Sequence, residues 1–130
     1  MTETVRTGGC ACGAARFTTR GEPDRVGLCH CLTCRKAHAA ACFPFAVFRA
    51  DQVETAGDLA SWESSPGYHR NFCPACGSRV TNETGGEIEI SIASFDEVGV
   101  FAPQYESWTV RREPWLPPLP LPQYDRNRGD

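Results

Sequence analysis

The spacing of the cysteines constrains this 130-residue chain more than any other feature of its sequence. Seven of its eight cysteines stand in three short groups, CxC, CxCxxC and CxxC, and they are Cys10, Cys12, Cys29, Cys31, Cys34, Cys73 and Cys76. A secreted chain would pair such cysteines as disulfides, whereas a cytoplasmic chain keeps them reduced for metal binding or catalysis. The first ten residues contain no apolar stretch of the kind found in a signal peptide. We therefore expect a cytoplasmic, metal-binding protein.

The first and last cysteine groups together offer the four thiolates of a closed zinc site. Structural zinc is bound by four ligands at tetrahedral corners, usually as two short-spaced pairs from distant parts of a chain. Gly77 follows the CxxC pair and can adopt the positive φ that a tight turn requires. The alternative for each pair is a disulfide or a buried thiol, but a disulfide across so short a loop is strained. The sequence predicts Cys10, Cys12, Cys73 and Cys76 as ligands of one structural zinc ion.

The central group, Cys29, Cys31 and Cys34, offers three thiolates and leaves a fourth position of the metal open. Three protein ligands and one open position are typical of a catalytic zinc. With a Zn²⁺ ion bound, three thiolates give the site a formal charge of about −1. They also make the metal a weaker Lewis acid than three histidines would. Such a site favours capture of a thiol over production of a hydroxide nucleophile. Arg35 and Lys36 follow directly and are candidates to offset the charge or to hold a substrate carboxylate.

Three residues near Cys29, Cys31 and Cys34 leave the ligands of this second site open. Cys42 could supply a fourth thiolate and close the site, although its apolar sequence neighbours favour a buried thiol. His38 would share a helix face with the last cysteine of the triplet, and imidazole is a good zinc ligand. His30 is a weaker candidate, since its side chain should point away from a metal that its two cysteine neighbours face. For both histidines we expect polar roles beside the site.

Length and charge narrow the organisation of the chain and its partners. With 130 residues, the chain has the size of one domain, residues 1–130, and 41% hydrophobic residues suffice for a packed core. A formal net charge of −3 gives no overall basic character of the kind that binds nucleic acid. No apolar run approaches the roughly 20 residues that span a bilayer. We expect neither a nucleic-acid partner nor a membrane.

Alternation of apolar and polar residues predicts a mainly β fold. The predicted strands are Ala15–Arg20, Phe43–Arg49, Leu59–Glu63, Tyr68–Phe72 and Glu87–Ser94. In the last of them isoleucines alternate with polar residues, which indicates a sheet with one buried face. Only Cys34–Ala41, rich in alanine, favours a helix. The sequence thus predicts a sheet protein with one short helix directly after the triplet.

Aromatic, acidic and proline-rich residues outside the cysteine groups are expected to serve the fold. Trp62 and Trp108 are predicted to lie in the core, as large aromatic side chains of a small domain mostly do. Asp96 and Glu97 are loop neighbours and are expected to be solvated. Five prolines exclude a regular helix in the tail, residues 114–124. We expect this tail to pack on the domain, and the alternative is a polyproline ligand for a partner protein.

Five segments of the chain resemble the glutathione-dependent formaldehyde-activating enzyme family, also called the centromere protein V-like family. They are Gly8–Phe17, Cys29–Ala41, Arg70–Val80, Ala93–Pro103 and Trp108–Tyr124, and they follow the family's order over nearly the whole chain. The combination of cysteine motifs carries most of the resemblance. It implies a single domain with the Mss4-like (β-tent), zinc-bound β fold.

The resemblance also implies an activity and a distribution of the zinc ligands. Two zinc ions are implied, a structural one bound by Cys10, Cys12, Cys73 and Cys76 and a catalytic one bound by Cys29, Cys31 and Cys34. The family's prototype reaction joins glutathione and formaldehyde to S-(hydroxymethyl)glutathione and is classed as a carbon–sulfur lyase reaction. A small-molecule thiol such as glutathione is the implied partner. The alternative is a non-catalytic zinc module that binds a protein.

Two positions depart from the pattern of the family that the chain resembles. Ala39 and Ala40 stand where the family commonly has a glycine, and Glu106 stands where it often has a histidine. If Glu106 lines the substrate pocket, the resemblance implies a substrate other than the prototype's.

Overall fold

A computed structural model describes residues 3–129 of the chain. Within this range the chain forms ten strands and one α-helix. The strands are β1 (Val5–Gly9), β2 (Arg16–Arg20), β3 (Arg25–Cys29), β4 (Phe43–Arg49), β5 (Val53–Ala56), β6 (Ala60–Ser65), β7 (Tyr68–Phe72), β8 (Arg79–Thr84), β9 (Glu87–Ser91) and β10 (Glu106–Ser107). The helix α1 is Leu32–His38, and three short 3₁₀ turns complete the regular structure. The prediction of a mainly β fold with one short helix is confirmed.

The strands form two sheets. The smaller sheet has the order β1-β2-β5 and is antiparallel throughout. The larger sheet has the order β10-β3-β4-β9-β8-β7-β6, in which only the short β10 runs parallel to its neighbour. Within the described residues no helix has the length and apolar character needed to cross a membrane.

Strand β4 is buried on both faces and separates two clusters of apolar side chains. Ala46 and Phe48 point into the main core, where side chains of both sheets meet. Phe43, Phe45 and Val47 point the other way, into a smaller cluster with Cys34 and Tyr105. Such alternation is expected of a strand, whose successive side chains point to opposite faces. The smaller cluster lies beside the cysteine triplet and positions it.

The predicted strands agree with the structure except at their ends. The last of them stops at Ser91, because residues 92–94 form a 3₁₀ turn in which the Ala93 amide donates to the Ser91 hydroxyl. Ile90 of this strand is fully buried, and Ile88 and Ile92 pack against the same core. The one-sided isoleucine pattern was therefore a reliable guide to the buried face.

The helix begins and ends earlier than predicted. Residues 34–41 were expected to be helical, but the helix starts at Leu32 because the Cys31 sulfur caps it, accepting the Cys34 backbone N–H at 3.2 Å. It ends at His38 because Ala39 adopts a left-handed conformation with φ of 49°. The Ala40 N–H then bonds the carbonyl of Arg35, which closes the last turn as in a Schellman motif. Alanine content indicated a helix but not its limits.

The tryptophan predictions were wrong in one case and incomplete in the other. Trp62 lies on the edge strand β6 and is 49% exposed, so it is not a core residue. Trp108 is partly buried, has a positive φ of 55° and lines a cavity described below.

Asp96 is exposed, as expected, but it also forms an ion pair with Arg16 and accepts a hydrogen bond from the Thr7 hydroxyl.

The chain that follows the proline-rich segment, residues 122–126, runs parallel to β10 along its edge. Main-chain hydrogen bonds join Glu106 to Pro122 and Tyr124, and Trp108 to Arg126. This contact gives the short β10 a second neighbour besides β3. Trp115, at the start of the proline-rich segment, is 69% exposed.

Candidate metal centres and active-site cavity

The four sulfurs predicted to share a structural zinc lie together. Cys10, Cys12, Cys73 and Cys76 have sulfurs that all lie within 4.8 Å of one another, with 3.6 Å between Cys10 and Cys12 and 3.8 Å between Cys12 and Cys73. Four sulfurs about 2.3 Å from a tetrahedral zinc are about 3.8 Å apart, so the spacing fits this metal. None of the eight cysteines, all within the described residues, forms a disulfide. This group is called the four-sulfur cluster below.

Backbone geometry holds the four-sulfur cluster in place. The Ala15 N–H donates to the Cys10 sulfur at 3.2 Å, and the Gly77 N–H donates to the Cys73 carbonyl at 2.8 Å. Gly77 has a φ of 78°, the positive value expected from the sequence. Ser78 bridges the two halves, because its hydroxyl accepts the Ala11 N–H and contacts the Cys76 sulfur at 3.2 Å. The cluster therefore ties the loop after β1 to the loop between β7 and β8.

The three sulfurs of the central motif form a second group. Cys29 ends β3, Cys31 caps α1, and Cys34 lies in its first turn. Their sulfurs also lie within 4.8 Å of one another. Contacts from the Cys29 and Cys34 thiols lower the pKa of Cys31, and the charge of Arg70 lowers it further. We call this group the triplet; it offers three ligand atoms.

Arg70, on β7, is the cation beside the triplet. Its Nη2 atom donates to the Cys34 sulfur at 3.6 Å, and its Nε atom donates to the Ser64 hydroxyl at 3.1 Å. Its guanidinium also lies over the Tyr68 ring, 4.8 Å from the centroid. Arg70 is 4% exposed, so its charge acts at short range in a setting where water screens it little.

The candidates Arg35 and Lys36 do not reach the triplet. Arg35 pairs with Glu113 and donates to the Arg111 carbonyl at 2.8 Å. Lys36 is exposed, and both line a surface depression from which the triplet is absent. These residues follow Cys34 on the helix, where a turn of 3.6 residues directs them away from it. Arg70 occupies the role that the sequence assigned to them.

Within residues 3–129, neither Cys42 nor His38 belongs to the triplet. Cys42 is half-buried and lies outside both sulfur groups. His38 stacks on Phe43, with 4.0 Å between ring centroids, and belongs to neither group. Burial, helped by the charges of Arg70 and Arg79, lowers the pKa of His38 to about 4. The triplet thus keeps three protein sulfurs.

A cavity of about 480 Å³ opens onto the triplet. All three cysteines line it, together with residues of β3, β4, β6, β7 and β9 and of the chain around Trp108 and Arg128. This volume lies within the range of about 300–1,000 Å³ typical of small-molecule sites. Its arginines, Arg25, Arg70 and Arg128, outnumber its carboxylate, Glu89. The cavity therefore suits a small ligand that carries negative charge.

Tyr68 and Glu89 form a hydrogen-bonded pair in the cavity wall. The Tyr68 hydroxyl donates to the Glu89 carboxylate. Burial raises the pKa of Glu89, against the opposing effects of Tyr68 and Arg70, and burial together with the Glu89 charge raises that of Tyr68. Both groups therefore favour their neutral forms more than exposed groups would.

His30 and Glu106 form a buried pair behind the triplet. His30 is fully buried, and its Nε2 atom donates to the Glu106 carboxylate at 2.8 Å. The other Glu106 oxygen accepts the Leu119 N–H and the Gln123 side chain, both at 2.8 Å. Glu106 is not among the residues that line the cavity. His30, expected to be a polar residue beside the site, instead links the triplet to the proline-rich segment.

We expect Glu106→Gln to lower the free energy of unfolding by about 3 kcal/mol at pH 7. Burial would raise the pKa of Glu106, but bonds from Gln123, His30 and the Leu119 N–H lower it from 4.5 to about 2. This shift corresponds to about 3 kcal/mol. Because the folded-state value is the lower one, the stabilisation is complete above pH 4.5 and is lost as the pH falls toward 2.

Urea unfolding of wild type and Glu106→Gln at pH 7 and at pH 3 measures this difference. The gap between the two proteins should narrow at the lower pH, since the carboxylate is then partly protonated in the unfolded chain. Glu83→Gln, which changes an exposed glutamate of β8, is the control and should show no comparable loss. A gap that is equally large at both pH values would contradict the assignment of the stabilisation to the charged form.

Comparison with known proteins identifies the family. The family model described as glutathione-dependent formaldehyde-activating enzyme matches residues 5–111. The chain belongs to this family. The match includes both sulfur groups and nearly all of the cavity wall, and the resemblance inferred from the motifs is confirmed. Membership of this family suggests that the chain is linked to glutathione and formaldehyde.

Solved structures support the fold of this formaldehyde-activating enzyme homologue. A crystal structure of a Rhodobacter sphaeroides protein is similar to it, with a TM-score of 0.58 and 19% sequence identity. The similarity covers 72% of the present chain and 91% of the Rhodobacter chain. At this identity the likeness concerns the fold alone. None of the curated proteins compared with the sequence matches it.

Several cavity residues were not identified from the sequence. Tyr68 and Arg70 lie two residues apart on a predicted strand and so share a face, which was the available signal. Glu89 was assigned to the polar face of its strand, where solvent was expected rather than a cavity. These three residues meet only because β7, β8 and β9 are adjacent in the sheet.

Proposed function

We propose that this protein is a zinc enzyme that joins a small thiol to an aldehyde, with glutathione and formaldehyde as the prototype pair. The reaction forms a carbon–sulfur bond, and its reverse is a carbon–sulfur lyase reaction. Family membership supports the substrate pair. The observation that carries the proposal is that only one of the two sulfur groups, the triplet, lines the cavity of about 480 Å³.

The contrast between the two sulfur groups supports different roles for them. In the four-sulfur cluster the metal would have all four corners filled by protein, which is typical of a structural zinc. Cys10 and Cys73 of this cluster are also part of the main core. The triplet supplies three sulfurs and lies against the cavity, which leaves a position for a ligand. We therefore assign a structural role to the first site and a catalytic role to the second.

The sulfur donors and their spacing fit zinc at both sites. At the triplet, a bound zinc would supply a positive centre that keeps a substrate thiol in its reactive thiolate form. Cys29, Cys31 and Cys34 would hold this ion. Arg70 offsets the excess negative charge of the sulfurs through its contact with Cys34. The helix cap at Cys31 fixes the direction of its sulfur.

The charges of the cavity support an anionic thiol as substrate. Glutathione carries two carboxylates and one ammonium group, so it brings net negative charge. Arg128 lines the cavity with an exposed side chain and is suited to pair with a carboxylate. Arg25 also lines the cavity, but it is already paired with Asp24 and Glu87. The apolar wall of Phe43, Phe45 and Tyr105 would exclude water from the reacting atoms. We place the reaction in the cytoplasm, where thiols are kept reduced.

The proposal is tested by zinc content and turnover of the wild-type protein. We expect two zinc ions per chain, one of which is removed more readily when glutathione is added. We also expect formation of S-(hydroxymethyl)glutathione above the spontaneous rate, measured by exchange NMR with glutathione and formaldehyde. Two zinc ions without any rate above the spontaneous one would reject the enzyme in favour of a non-catalytic zinc protein.

A further inference from the structure

Arg70 carries a buried nitrogen that has no hydrogen-bond partner. Its Nε and Nη2 atoms are bonded to Ser64 and Cys34, but its Nη1 atom has no partner among residues 3–129. A buried donor without an acceptor costs about 1–3 kcal/mol, and more when the group is charged. Such a cost is commonly retained where a ligand completes the bonding. Arg70 is 4% exposed and is among the residues that line the cavity at the triplet.

We propose that Arg70 is a catalytic residue whose Nη1 group donates a hydrogen bond to the oxygen that gains negative charge when a thiol adds to an aldehyde. This inference rests on the function proposed above. In the addition, the sulfur electron pair forms the new S–C bond and the C=O π pair moves to oxygen. The proton lost by the thiol ends on that oxygen, so no oxidant or reductant is required.

The position of Arg70 favours the reacting oxygen over the distant carboxylates of the thiol. Its Nη2 atom lies 3.6 Å from the Cys34 sulfur. The guanidinium is therefore beside the triplet, where the substrate sulfur would bind. The aldehyde oxygen is two bonds from that sulfur in the product. The carboxylates of glutathione are many bonds away, and the exposed Arg128 is available to them in the same cavity.

The surroundings of Arg70 fix its orientation before a substrate arrives. Ser64 holds Nε, Cys34 attracts Nη2, and the Tyr68 ring supports the flat face of the guanidinium. The Tyr68 hydroxyl donates to Glu89, so it is engaged elsewhere. A donor fixed in advance and aimed at developing charge lowers the reaction barrier, because it does not reorganise during the step. Arginine stays protonated at all working pH values, so this contribution should not titrate.

The test uses the zinc-loaded protein and the variants Arg70→Lys and Ser64→Ala. Three quantities are measured for each: zinc per chain, glutathione affinity by calorimetry without aldehyde, and kcat with glutathione and formaldehyde. We expect Arg70→Lys to keep two zinc ions and a glutathione affinity within about two-fold, while kcat falls about 100-fold. Ser64→Ala removes only the acceptor that orients the guanidinium and should lower kcat about 10-fold.

Arg79→Lys is the matched control. Arg79 is a partly buried arginine whose Nη1 atom, like that of Arg70, has no partner among residues 3–129. It packs on Phe72 and does not line the cavity at the triplet. Its replacement should leave kcat within about two-fold of wild type. A similar fall of kcat in Arg79→Lys would attribute the effect to loss of a buried arginine in general and would overturn the proposal.

Each other outcome decides the role of Arg70. If glutathione affinity falls in parallel with kcat, Arg70 binds the thiol itself and the proposal is wrong. If Arg70→Lys loses the triplet's zinc, Ser64→Ala decides: a selective fall of kcat supports the proposal and an unchanged kcat refutes it. Active wild type with unchanged kcat in both variants refutes the Arg70 role alone. Wild type that binds glutathione without turnover refutes the proposed function, and the role of Arg70 with it.

Discussion

Cys73→Ser should leave most of the chain unfolded in buffer without denaturant. Cys73 is fully buried, belongs to the main core and is one of the four sulfurs of the cluster that joins the loop after β1 to the loop after β7. Structural zinc contributes about 10–16 kcal/mol to folding in small zinc domains. This range equals or exceeds the total stability of about 5–15 kcal/mol typical of a domain. Loss of one thiolate should therefore release the metal and remove the largest single stabilising contribution.

Far-UV circular dichroism and zinc content measure this outcome, with Cys42→Ser as the matched control. Cys42 is half-buried and lies outside both sulfur groups. Its replacement should keep both metals and cost about 1 kcal/mol, as for an ordinary partly buried side chain. Treatment of wild type with a strong chelator should reproduce the unfolded spectrum of Cys73→Ser. A folded Cys73→Ser protein with a wild-type denaturation midpoint would show that the cluster is not needed for the fold.

The two sulfur groups belong to two different apolar clusters. Cys10 and Cys73 are members of the main core, where Phe17, Phe48 and Ile90 are buried. Cys34 is a member of the smaller cluster on the other face of β4, which forms part of the cavity wall. One group is thus built into the centre of the fold and the other into the wall of a cavity. We therefore expect substitutions in the four-sulfur cluster to abolish folding and substitutions in the triplet to abolish the reaction.

The short cysteine motifs could be predicted because the geometry within each motif is local, whereas the joining of Cys10 and Cys12 to Cys73 and Cys76 was inferred from the four ligands that zinc requires. A CxxC turn followed by Gly77, or Cys31 at a helix start, brings sulfurs together within a few residues. The order of strands could not be predicted, and the cavity depends on it. Glu89 and Tyr68 are 21 residues apart and meet only through the pairing of β7, β8 and β9. Sequence alternation assigned Glu89 to a face but not to the cavity that this face lines.

His30 illustrates a second limit of the sequence. Its position between Cys29 and Cys31 correctly indicated that it turns away from the sulfurs. The acceptor that justifies its complete burial is Glu106, 76 residues later, on a two-residue strand. No periodic pattern marks so short a strand, and it owes its place to parallel pairing with β3. Glu106, which stands where the family often has a histidine, therefore supports the fold, while other residues line the cavity.

Cys31→Ser should remove the triplet's zinc and lower turnover about 1,000-fold or more, with the fold and the other zinc retained. A hydroxyl is a much poorer zinc ligand than a thiolate, and two remaining thiolates should not keep the ion. Loss of the metal's charge stabilisation, worth several kcal/mol, accounts for the size of the effect. Serine is itself a favoured N-cap residue and can accept the Cys34 N–H in place of the sulfur. Helix α1 should therefore persist.

Cys31→Ala separates the two roles of Cys31 and completes the test. It removes the ligand and the helix cap together, so it should match Cys31→Ser in turnover but be less stable by about 1 kcal/mol in urea unfolding. Cys42→Ser should retain two zinc ions and wild-type turnover. Zinc content, turnover and unfolding of the three variants distinguish the possible results. A Cys31→Ser protein that keeps two zinc ions and full turnover would remove the triplet from the reaction, and an unfolded one would make this group structural as well.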